Sequence, residues 1–184
     1  MQNILIILGS APCVGSDIAS AALLLPTPCP SVIPAEAGIQ AFDFMLIGLD
    51  AVDKYTGRAK YFATYHPAEI NASIERRAKA GGNIDFIIVS HQQANGLVKI
   101  IIPLHGVPSG SSALLGVHAG IQEGYKKIIV CGCPLTGKND KGNGYEIFRA
   151  GWTAKLSEIK DKTRSMSGWT QELLGAPTEE WLNS

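Results

Sequence analysis

Ser109-Gly-Ser-Ser-Ala-Leu-Leu-Gly-Val-His-Ala-Gly-Ile-Gln-Glu-Gly-Tyr-Lys-Lys-Ile-Ile-Val-Cys-Gly132 reads as a helix, a sharp stop and a buried strand. Ser109, Ser111 and Ser112 supply cap oxygens where the first N–H groups of a helix lack partners. Leu114, Val117, Ile121 and Tyr125 then recur at the spacing of one helical face. Ala113, Gly116 and Gly120 form an adjacent ridge of small residues, which lets the helix lie close on a sheet. Gly124 takes the place of a left-handed residue past the helix end, with Tyr125 folding back in a Schellman closure. Residues 127–131 are a short apolar run suited to a central parallel strand. A helix N-terminus beside strand ends offers free N–H groups and a partial positive charge, a combination that favours an anion.

Toward the N-terminus, residues 3–8 are a continuous apolar run ending in Gly9-Ser10-Ala11-Pro12, and 17–25 is helical in composition. Strand, glycine turn and helix is how nucleotide-binding α/β folds begin. The full dinucleotide fingerprint is not present, because Gly9 is followed next by Gly15. Further strands are expected at 42–47, 60–65 and 84–90, ending at Gly48-Leu49-Asp50, His66-Pro67 and His91. Residues 68–80 make a charged amphipathic helix, with Glu75-Arg76-Arg77 expected on a solvated face. A β-rich run at 97–104 ends at His105. Strands alternating with helices imply a three-layer α/β domain with a mostly parallel sheet of five or six strands.

Beyond Gly132 the texture changes to a polar loop at 136–144, then a helix at 145–160 and a short edge strand at 163–166. The last part of the chain, 145–184, is read as a helical extension that packs Trp169, Leu173, Leu174 and Trp181 on the body. Residues 26–40 stand apart. Their four prolines, at 26, 28, 30 and 34, forbid regular helix or a central strand up to Pro34. Within them Ser31-Val-Ile-Pro-Ala-Glu-Ala-Gly-Ile-Gln40 resembles the translated form of a palindromic repeat that spreads through bacterial genomes. The segment is expected to be an exposed inserted loop in one domain of 1–184, a tolerable addition because loop closure entropy grows slowly with length.

Bulk properties narrow the function classes. Of 184 residues 46% are hydrophobic and 17% charged, with a formal net charge of zero. That balance gives no support to general nucleic-acid binding or to adhesion on a membrane surface. No apolar run approaches ~18 residues, and the N-terminus lacks the basic region of a signal peptide. Four cysteines in a chain of this size are not a disulfide framework. A cytoplasmic protein is expected.

Gly9, Ser10, Asp50, His66, His91, His105 and Gly132 all follow apolar runs, so a parallel sheet would bring them to one edge. Ligands of such sheets bind outside the carboxyl ends of the strands, at the switch point. Three histidines raise zinc, but Cys131 and Cys133 alternate along a strand and point opposite ways, so no metal is assigned. Gly132-Cys-Pro-Leu-Thr-Gly-Lys138-Asn139 nearly matches a phosphate-binding P-loop, yet Asn139 replaces the required Ser or Thr and 140–144 breaks a helix. Lys138 and Lys141 remain as phosphate partners. His118 falls on the apolar helix stripe, as a hydrogen-bonded core histidine would. No nucleophile elbow is present. The anion is expected over residues 109–112, with the Gly9–Pro12 turn facing it.

Gly9-Ser10-Ala11-Pro12, Ser109-Gly110-Ser111-Ser112-Ala113-Leu114 and Gly124-Tyr125-x-x-Ile128-x-x-x-Gly132 together resemble a Rossmann-like superfamily. It holds certain bacterial sialyltransferases and the archaeal pterin-diphosphokinase-like proteins. The resemblance implies nucleotide contacts at Gly9, Ser10, Pro12, Ser109, Gly110 and Ser111, since in the sialyltransferases both elements touch a cytidine nucleotide sugar. Ser10-Ala11 stands where the pattern has Asn-Gly, and Asp50 where the sialyltransferases carry a nucleotide-binding Asn. The matching motifs do not include their catalytic histidine or their paired phosphate-binding tyrosines. The ending, from Arg164-Ser-Met-Ser-Gly-Trp-Thr to Trp181, resembles that of prophage-associated bacterial proteins built on this plan.

Three functions follow as expectations. In a nucleotide-sugar-dependent transferase, His66 or His91 would serve as base and Lys138 as phosphate donor partner. A pterin or nucleotide diphosphokinase would need Asp50 and Asp53 for magnesium. A catalytically silent, phage-associated binding or assembly protein would need neither.

Overall fold

In the computed structural model, which describes residues 3–25, 42–103, 111–138 and 142–184, all strands lie in one parallel sheet. They are β1 (Ile4–Leu8), β2 (Phe42–Ile47), β3 (Tyr61–Ala63), β4 (Ile87–Ser90), β5 (Ile100–Ile101), β6 (Lys127–Cys131) and β7 (Thr163–Ser165). The helices are α1 (Val14–Leu24), α2 (Ile70–Lys79), α3 (Ser112–Gln122), α4 (Glu146–Ala154), α5 (Leu156–Ile159), α6 (Gly168–Leu174) and α7 (Glu179–Asn183). The sheet order is β5-β4-β3-β2-β1-β6-β7. The chain walks outward from β1 to β5, and α3 then carries it back to lay β6 on the other side of β1. The β1–β6 boundary is therefore the switch point.

β1 is central because both its faces are apolar: all five residues are buried, and it pairs in register with Phe42–Leu46 of β2 and Lys127–Cys131 of β6. Side chains alternate between faces. Leu5, Ile7, Met45 and Ile47 meet α3 and Trp152, while Ile4, Ile6, Leu8 and Leu46 meet Ala21, Ile70, Trp181 and Leu182. The seventh strand arises because β5 and β7, of two and three residues, both join as edges. Short edges of this kind offer little template for pairing with another chain.

The ridge on α3 works as its composition implies. A Cβ on Gly116 would lie 2.8 Å from Met45 Sδ, and one on Gly120 would lie 2.7 Å from Leu5 Cδ2. A side chain at either position would have to displace these core side chains. The helix stops as expected, with Gly124 at φ +82°, the Gly124 N–H donating to Ile121 O and the Tyr125 N–H to Gly120 O.

Several expectations are corrected. The strands foreseen at 60–65 and 84–90 shorten to β3 and β4, and the helix at 145–160 divides at Lys155 into α4 and α5. Arg77 is not on a solvated face but fully buried. Residues 145–184 supply β7 to the sheet and place Trp152, Ile159, Leu174 and Trp181 in the two cores. The proline-rich segment 26–40 lies outside the described residues.

Candidate functional site

Because all strands are parallel, the residues that follow β1, β2, β3, β4 and β6 share one edge. They do not form one pocket. Neighbouring strands are about 4.8 Å apart, so the ends of β1 and β4 are separated by roughly 14 Å.

At the switch point the two turns are stitched together. The Gly9 N–H donates to Cys131 O at 2.8 Å and the Ala11 N–H to Gly132 O at 3.2 Å. Asp17, buried in the first turn of α1, accepts from the Gly132 N–H at 2.8 Å and from the Ser167 hydroxyl at 2.7 Å. A Cβ on Gly132 would meet Val14 Cβ at 2.7 Å. Gly9 and Gly132 thus have buried, packed surroundings, and the crevice between β1 and β6 is filled by protein.

The open part of the edge lies over β1 to β4. Ser10 is half-buried and Pro12 exposed, and the Ser10 carbonyl accepts from Lys54 Nζ at 3.2 Å. Asp50 is exposed on the loop that follows β2. Ser112 Oγ, at the start of α3, accepts from the Tyr65 N–H at 3.2 Å and lies 3.9 Å from where a Gly48 Cβ would stand. The α3 N-terminus therefore meets the ends of β2 and β3, rather than the Gly9–Pro12 turn expected to face it. Ser111 caps the helix, accepting from the Leu114 N–H, and also accepts from Trp152 Nε1, both at 3.4 Å. Ser109, Gly110 and His105 lie outside the described residues.

His66 and His91 come together from the ends of adjacent strands. The His91 ring stacks on Tyr65, with centroids 4.6 Å apart and planes 14° from parallel. Burial, and then the neighbouring His66, push the His91 imidazole below its ordinary value of 6.5. His91 Nδ1 is buried without a hydrogen-bond partner. The Thr64 hydroxyl holds the His66 N–H at 3.0 Å, and Ser90 ties β4 to β3 through the Thr64 carbonyl at 2.7 Å. A neutral, partly desolvated imidazole is suited to accepting a proton near neutral pH.

Lys138 is exposed on the far side of β1, where it bridges Gly144 in an antiparallel pair. His118 is less well satisfied than a hydrogen-bonded core histidine: its Nε2 is buried with no partner. Cys13 and Cys133 are free thiols. Among the described residues no three His, Cys, Asp or Glu side chains are grouped to hold a metal ion, and no helix is long and apolar enough to cross a membrane.

The residues that sequence reasoning missed are Asp17, Lys54, Tyr65 and Arg77. An acid in the first turn of a helix after a glycine turn was the available signal for Asp17. Lys54 sits in a polar stretch with no periodicity, and Arg77 in a run of charges. Nothing local marks either of them.

The opposite edge carries a cavity of about 220 Å³, lined by Asp43, Phe44, Arg58, Ala59, Lys60 and Asp85. Two of its charges, Lys60 and Asp43, are engaged with each other. Lys60 Nζ pairs with Asp43 at 2.7 Å and donates to the Tyr125 hydroxyl at 3.0 Å, and Tyr125 donates to Asp43. Asn83, and more weakly Arg58, hold the Asp85 carboxyl below its usual range. Arg58 is exposed there, whereas the carboxyl edge gathers the two histidines and the α3 N-terminus and is the stronger candidate.

Sheet order, switch point and edge together define a doubly wound, three-layer α/β protein of Rossmann-like architecture. No protein-family model, curated protein or solved structure matches the chain.

Proposed function

We propose that this protein binds a nucleotide-type ligand along the carboxyl edge of β1 to β4, as a nucleotide-sugar-dependent transferase of sialyltransferase-like kind. The observation that carries the reading is the pair His66 and His91 beside the α3 N-terminus, with His91 desolvated against Tyr65. The helix end offers about half a positive charge to a phosphate, and Ser112 stands at it. Asp50, at the end of β2, occupies the place from which an acid accepts ribose hydroxyls in doubly wound folds. His66 or His91 then takes a proton from an acceptor hydroxyl, and the departing phosphate is stabilised at the helix end. An edge about 14 Å long between β1 and β4 suits an extended ligand better than a single small anion.

The diphosphokinase reading is weaker because Asp53 faces Arg76 at 3.8 Å rather than standing free beside Asp50. A silent binding or assembly protein would use the fold without these histidines. Thermal unfolding with CMP, CDP, UDP, GDP and ATP, with and without magnesium, separates the three. Stabilisation by CMP without magnesium is the expected result. Magnesium-dependent stabilisation by ATP alone would favour the kinase, and no shift with any nucleotide would favour the silent protein.

A further inference from the structure

We infer that Lys54, on the loop after β2, is the cation that neutralises the ligand's phosphate at the carboxyl edge. The inference rests on the nucleotide reading above. Lys54 is exposed, and its Nζ reaches across from the loop after β2 to the Ser10 carbonyl at 3.2 Å. A lysine ammonium has three donors, so a carbonyl partner leaves two of them and the whole charge available. The ion pairs among the described residues are Lys60–Asp43, Arg76–Asp53 and Lys155–Glu158. Asp53, next to Lys54 in the chain, is thus turned to Arg76, and among the described residues no carboxylate is paired with Lys54.

The loop that carries Lys54 is held by the fold. Buried Arg77 donates to the carbonyls of Val52 at 2.9 Å, Tyr55 at 2.5 Å and Gly57 at 2.7 Å, on both sides of Lys54. A guanidinium fork holds several carbonyls at once in fixed directions, which a point-charge ammonium cannot do. The loop backbone is fixed before any ligand arrives, which lowers the ordering cost of bringing Lys54 to an anion. Lys138, across β1 and paired through its backbone to Gly144, is placed on the other side of the filled crevice.

Calorimetric titration with cytidine 5′-monophosphate and with cytidine tests the assignment on the parent protein, Lys54→Met, Lys54→Arg and Lys138→Met. The expected result is at least a tenfold loss of monophosphate affinity in Lys54→Met with cytidine affinity unchanged. Lys54→Arg should keep most of the monophosphate affinity, and Lys138→Met nearly all of it. Unchanged monophosphate binding in Lys54→Met, or an equal loss for cytidine, overturns the role of Lys54 while leaving the nucleotide reading intact. A parent protein that binds neither these nor the other nucleotides overturns both.

Discussion

Gly9 and Gly132 close the gap between the two central strand ends: a Cβ on Gly9 would stand 2.2 Å from the Gly132 carbonyl oxygen and 2.4 Å from Cys133 Sγ. The topological switch point is thereby filled with backbone, and the open edge shifts toward β2, β3 and β4.

Gly9→Ala should destabilise the protein by about 2–3 kcal/mol, the upper range for overpacking, because the obstructing atom is backbone and cannot rotate away. Denaturant unfolding measures it. An unchanged midpoint would show that the two turns do not touch as described.

Arg77→Met should cost about 3–5 kcal/mol, since it leaves the carbonyls of Val52, Tyr55, Gly57 and Asn83 buried without their donor. Arg77→Lys should rescue little of that loss, as it lacks the fork. Recovery to parent stability in Arg77→Lys would mean that charge alone, and not geometry, holds the loop.

Stability should fall as the solution is acidified through the histidine range. His91 is lowered by burial and by His66, and His118 by burial above all. A depressed folded value means the unfolded chain binds more protons, so the contribution is complete above 6.5 and is lost as pH falls through the folded values. Thermal midpoints between pH 7.5 and 5 should therefore decline, and His118→Gln should flatten the decline. A slope that the substitution leaves unchanged would remove His118 from the account.

Trp181→Ala should cost about 3 kcal/mol. Lys127 Nζ lies 4.7 Å from the Trp181 ring centroid and the Arg164 guanidinium carbon 5.0 Å, and the indole Nε1 donates to Asp161 O. A near-neutral result, by the same unfolding measurement, would show that the C-terminal helix is an appendage rather than part of the core.

Much of the fold was legible because periodicity reports burial on one face. α3, its Schellman stop and β6 follow from Leu114, Gly116, Gly120, Gly124 and the 127–131 run. β3 and β4 came out shorter than their apolar runs, because pairing ends a strand and hydropathy does not report pairing. The histidine pair was legible as two strand ends, since a parallel sheet must gather them. Arg77 and Lys54 were not, because their roles depend on carbonyls distant in sequence. A buried guanidinium satisfied by five carbonyl and amide acceptors has the same local sequence as an exposed one.

Amide shift mapping with cytidine 5′-monophosphate tests the placement of the ligand most directly. The account predicts shifts at Ser10, at residues 48–50 and 54, at Tyr65, His66 and His91, and at Ser111 and Ser112. The amides of Asp43, Lys60 and Asp85 at the opposite edge should stay in place. Shifts confined to that opposite edge, or none at saturating nucleotide, would contradict a nucleotide site over β1 to β4.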